Sequence, residues 1–145
     1  MKRTVCIIFS IAMCLLCGAQ DRQVNEILEK MQSKMVTLDY HVVTGGKAPL
    51  QYDGTAVLQQ DKFLISGNGV TVYCDGNAVY IVDPKAKEIY IESPAGIAEF
   101  VEKEAGNLKE FSVSGVKYSE MSGDVRQFSF DTSSLDKTWI VTDLR

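Results

Sequence analysis

Residue types able to do covalent chemistry are sparse in this chain. It holds one histidine, His41, and of the cysteines Cys6, Cys14, Cys17 and Cys74 only the last lies outside an N-terminal apolar run. A catalytic thiol needs a base beside it, so Cys74 with His41 is the one thiol and imidazole pair the composition allows. The plainer role for Cys74 is a small packed hydrophobe in a strand. Two acids precede glycine, at Asp53-Gly54 and Asp75-Gly76. Paired acids suit proton transfer, but an acid before glycine at a strand junction is ordinarily turn chemistry. No H-x-x-x-H, C-x-x-C, G-x-S-x-G or phosphate-cradling glycine loop occurs. The expectation is a protein without catalysis, metal or cofactor.

The N-terminus reads as an export signal. Met1-Lys2-Arg3 is followed by an uncharged run from Thr4 to Cys17, then Gly18-Ala19-Gln20. This is the order of basic region, apolar region and small-residue exit that a signal peptidase recognises. The run falls short of the roughly 20 residues that span a bilayer as a helix, so an integral membrane protein is not expected. Cleavage after Ala19 leaves residues 20–145 as one mature domain in the periplasm, with Cys74 its lone cysteine and no internal disulfide. A lipid-bearing cysteine wants a small residue before it, whereas Leu16 precedes Cys17 and Met13 precedes Cys14. Formal charge is −4 for the chain and −6 once Lys2 and Arg3 are gone. Without a Lys/Arg cluster to offset it, that charge repels phosphate backbones, so nucleic acid is not an expected partner.

Between Gln20 and Leu38 the apolar residues Val24, Ile27, Leu28, Met31, Met35 and Leu38 recur at three- and four-residue steps, the pattern of an amphipathic helix. From Tyr40 the period becomes two. Strands are predicted over Asp39–Thr44, Asp53–Gln59, Lys62–Ser66, Val70–Cys74, Ala78–Val82 and Glu88–Glu92, with Asp75-Gly76 as a type I′ hairpin turn. Pro94 opens a second helix presenting Ile97, Phe100 and Val101 on one face, and Gly106-Asn107 closes it. Strands resume at Leu108–Lys117, Arg126–Asp131 and Thr138–Thr142. Short strands joined by tight turns imply an antiparallel meander.

Alternation assigns Leu58, Phe63, Ile65, Val72, Ile81, Ile89, Ile91, Phe111 and Phe128 to one apolar face, and Tyr73, Tyr80 and Tyr90 to a wetter one. The predicted class is α+β: a curved antiparallel sheet forming a half-open barrel, with the N-terminal helix (Ile27, Met31) and the second helix (Ile97, Phe100) as lid. Such a sheet either leaves a lipid-compatible trough under the lid or fills its own core.

The order of elements carries a resemblance. An amphipathic helix ending in Leu38 precedes Gly54-Thr-Ala-Val-Leu-Gln-Gln-Asp-Lys-Phe63, then Val72-Tyr-Cys-Asp-Gly76, Val79-Tyr-Ile-Val-Asp-Pro84, and a late Phe128-Ser-Phe-Asp131. This resembles the LolA-like outer-membrane lipoprotein carriers, particularly their short Bacteroidetes form. The resemblance implies a periplasmic chaperone whose trough holds the acyl chains of lipoproteins or other lipids, received from an inner-membrane partner and passed to an outer-membrane one. At the position where that family carries an arginine implicated in holding and releasing cargo, this chain reads Gln59-Gln60-Asp61. The other function expected of such a sheet is an envelope interaction or structural module with a filled core.

Overall fold

The computed structural model describes residues 22–96 and 108–145. The expected signal peptide and the second helix from Ile97 onward, with Phe100, lie outside the described residues; its expected start is described, residues 94–96 being helical, with the Gly96 N–H donating to Ser93 Oγ at 3.0 Å. Helix α1 spans Arg22–Lys30. Eight strands follow: β1 Met35–Thr44, β2 Gln51–Gln59, β3 Lys62–Gly67, β4 Val70–Cys74, β5 Val79–Asp83, β6 Glu88–Glu92, β7 Leu108–Ser119 and β8 Ile140–Asp143. They form one sheet in the order β7-β1-β2-β3-β4-β5-β6-β8, which does not close.

The meander from β1 to β6 is antiparallel throughout. The sheet is nevertheless mixed, because β8 runs parallel to β6. Parallel neighbours need a long connection, and the one from β6 to β8 carries β7 within it. Its last part, residues 120–139, leaves β7 at one edge of the sheet, crosses the back face as a strap, and joins β8 at the opposite edge.

Three sequence expectations give way for physical reasons. Helix α1 stops at Lys30 instead of Leu38. Its last turn tightens through i to i−3 bonds from Gln32 and Ser33 to the Glu29 and Lys30 carbonyls. Beyond it Val36, Leu38, Tyr40 and Val42 alternate with exposed or half-buried residues at the period of a strand. Arg126–Asp131 is no strand: Arg126–Phe128 and Thr132–Ser134 are short 3-10 turns, the second capped by the Asp131 carboxylate accepting from the Ser133 N–H. The Asp75-Gly76 turn is not type I′, since Gly76 has φ +92 but Asn77 stays negative; glycine at the first central position is the type II′ pattern. The type I′ turn lies one hairpin earlier, where Asn68 (φ +56) and Gly69 (φ +78) join β3 to β4.

A bulge sets the facing of β7. Thr37 pairs with Lys117 but Asp39 pairs with Ser114, so β7 carries an extra residue there. Gly115, at φ +59, takes the left-handed conformation such a bulge requires. The extra residue shifts the alternation by one, and Phe111 and Val113 before it, like Val116 after it, all pack on the same core.

Candidate functional site

Cross-strand partners in a sheet project from the same face, so the registers define the front wall row by row. One row is Leu38, Ala56, Ile65, Val72, Ile81 and Tyr90. The next is Val36, Leu58, Phe63, Cys74 and Val79. Leu58, Phe63, Ile65, Val72 and Ile81 therefore come together as expected, with Ile27 of α1 and Met31 just past its end packed in the same cluster and Phe111 half-buried against it. The wall is covered in this arrangement: its members on β1 to β5 are 0–6 % exposed, while Tyr90 and Phe111 at its margins are half-buried.

Ile89 and Ile91 do not belong to this wall. Ile81 pairs with Tyr90, and Ile91 with Tyr80, so β6 turns Glu88, Tyr90 and Glu92 to the front and both isoleucines to the back. A four-residue connection between Asp83 and Glu88 offsets the parity that a count along the chain assigns. Phe128 is also off the wall: it lies on the strap, without exposed surface, in a turn against β3 and β4. The back face is accordingly not wet throughout. Ala78, Val82, Ile89 and Ile91 form a second core there, joined by Tyr73, Tyr80, Phe130, Leu135 and Trp139 of strands and strap. The Tyr73 and Phe130 rings are 5.5 Å apart and tilted by 49°, an aromatic contact.

The strap begins on a two-point clamp. The buried Gln59 side chain donates through Nε2 to the Ser122 carbonyl at 3.0 Å, and its Oε1 accepts from the Ser122 N–H at 2.8 Å. The Gln59 amide is thus committed to a contact of the fold.

The chemistry-bearing residues separate. Cys74 is buried in the front wall, where burial raises its thiol pKa, the opposite of what nucleophilic thiols need. His41 projects from the back face of β1, its Nδ1 2.6 Å from Asp53 Oδ1 on the adjacent β2. The thiol and the imidazole thus lie on opposite faces. Asp53 and Asp75 sit at opposite ends of the sheet, so they form no acid pair. Among the described residues no group of three His, Cys, Asp or Glu is placed to hold a metal ion.

One polar group enters the wall. Tyr40 lies across Gly54 of β2 and Gly67 of β3, its register partners, and its hydroxyl donates to the Ser66 carbonyl at 3.0 Å. Burial first, and Asp53 second, push its pKa up to about 12 from 10.0. The unfolded chain gives up this proton near pH 10 while the folded one holds it, so the stability tied to Tyr40 is complete below pH 10 and is lost as pH rises toward 12. Absorbance titration at 295 nm should show a last phenolate step that Tyr40→Phe removes; an unchanged profile would place Tyr40 in water.

No family model matches this chain, and neither does any curated protein. Among the described residues no helix is long and apolar enough to cross a membrane.

Proposed function

We propose that the mature protein is a periplasmic carrier that binds the acyl chains of lipoproteins or related lipids between the front wall and its helical lid, the sheet acting as a half-open barrel. The observation that carries this reading is the wall itself: one apolar surface across β7 and β1 to β5, bordered at β6 by Glu88, Tyr90 and Glu92. Over it lie the nine-residue helix α1, with Ile27 buried, and Met31 just past its end, also buried.

Magnitudes favour exchange of lid for lipid. Exposing two such side chains costs about 3–6 kcal/mol. A buried acyl chain with some 14 methylenes returns on the order of 11 kcal/mol. Hydrocarbon can therefore displace the lid, and its release needs a partner or a membrane to accept it.

The complete coverage of Ile65 and Val72, both 0 % exposed, favours a second reading, an envelope module whose core is filled for good. Binding separates the two. Mature protein purified from a bacterial envelope should carry lipid or acylated peptide in native mass spectra, and the delipidated protein should bind a fluorescent fatty acid. Phe111→Glu, at a half-buried position of the wall, should weaken that binding by about tenfold or more with the fold intact. Absence of both the adduct and the binding would overturn the carrier reading.

A further inference from the structure

The back of the sheet carries a second feature, separate from the acyl wall. Where the strap starts, its residues Val125, Arg126 and Ser129 face the turns of two hairpins, Asp61-Lys62 and Asp75-Gly76-Asn77, across an open cleft of about 450 Å³. That volume lies within the roughly 300–1,000 Å³ typical of small-molecule sites.

Asp75 on the turn side and Arg126 on the strap side oppose each other in sign across the cleft. On the turn side the Asp61 carboxylate lies against Gly76, where a β-carbon would come within 2.6 Å of its Oδ2. Asp75 Oδ1 accepts from the N–H groups of Asn77 and Ala78 at 2.8 and 2.9 Å, which fixes the carboxylate while Oδ2 makes no hydrogen bond. Across the cleft Arg126 is oriented by Asp124: Nε donates to Oδ1 at 2.9 Å and Nη2 to Oδ2 at 2.8 Å. The fork leaves Nη1 as a charged donor held in direction. On the turn side Lys62 Nζ lies 3.0 Å from Asp61 Oδ1 and pairs with it, which leaves Asp75 as the open acid facing the strap. An anion alone would meet the carboxylates and a cation alone the guanidinium. A molecule carrying both signs satisfies both walls.

We infer that this cleft binds a small zwitterion, its ammonium toward Asp75 and its phosphate or carboxylate toward Arg126. The same chemistry is offered by a phosphoethanolamine lipid headgroup and by a free aminophosphate or amino acid. The site does not depend on acyl binding at the front wall.

The test uses phosphoethanolamine on the mature protein, followed by amide chemical shifts. Binding should move the Gly76, Asn77 and Arg126 signals. Arg126→Gln and Asp75→Asn should each weaken it by about tenfold, the loss of one charge-assisted hydrogen bond; asparagine keeps the Oδ1 acceptor that the turn uses. Phosphate alone or ethanolamine alone should bind at least about tenfold more weakly, for the same reason. Dihexanoyl phosphatidylethanolamine binding in the cleft more tightly than phosphoethanolamine assigns the site to a lipid headgroup, and equal binding assigns it to the free molecule. Unmoved cleft signals, or equal binding of phosphate alone, would overturn the proposal. Fatty-acid binding that persists in Arg126→Gln is expected, and shows that the carrier reading stands or falls by itself.

Discussion

Replacing Phe128 by alanine should lower stability by about 3–5 kcal/mol, because the loss combines the transfer of a buried aromatic ring with the cavity it leaves. Phe128 has no exposed surface, although it sits in a three-residue turn on a segment otherwise largely open to solvent. It anchors the strap between the Gln59 and Ser122 clamp and the Phe130 and Tyr73 contact, so its removal should loosen the whole crossover from Met121 to Trp139. Urea unfolding checks the magnitude: the midpoint should fall with little change in slope. Hydrogen exchange should show the strap amides losing protection before those of β2 and β3. A loss below about 1 kcal/mol would mean that the ring is not packed as described.

The meander was legible because its signals are local. Alternation in Val70–Cys74 and Glu88–Glu92 places both strands at the observed limits, and the turn signals Asn68-Gly69, Asp75-Gly76 and Asp83-Pro84 bound them. What the sequence concealed is long-range. Ile89 and Ile91 alternate as any half-buried strand does, and alternation within a strand does not say which face its neighbours have claimed. The connection between Asp83 and Glu88 decides that, and a shift of one residue exchanges the two faces. Phe128-Ser-Phe130 likewise reads as a strand by period two, but the segment packs as a strap because parallel pairing of β8 with β6 forces the chain across the back face. The front wall of the candidate site was therefore readable at Leu58, Phe63, Ile65, Val72 and Ile81, and misread where facing depends on loop length. The cleft on the back was not readable at all: it brings Asp75 against Arg126, residues whose proximity only the strap creates.

Glycine at position 54 should prove as hard to replace as a core residue. Gly54 and Gly67 are paired across β2 and β3, and the Tyr40 ring from β1 lies over both. A methyl group at Gly54 would collide with the Ser66 carbonyl oxygen and the Tyr40 hydroxyl, and one at Gly67 with the Tyr40 hydroxyl. The two sites differ in what must yield. At Gly67 the obstacle is a side chain, with the nearest backbone atom, the Asp53 carbonyl oxygen, at 3.2 Å. At Gly54 it is the backbone of the neighbouring strand, which cannot move without breaking the ladder. Gly54→Ala should therefore cost about 3 kcal/mol, at the upper end for overpacking. Gly67→Ala should cost less, and in a Tyr40→Ala background most of its penalty should vanish, whereas that of Gly54→Ala should remain. A double-mutant cycle by denaturant unfolding measures both couplings. Equal rescue at the two positions would show that the tyrosine alone, and not the closeness of β2 to β3, shapes this end of the wall.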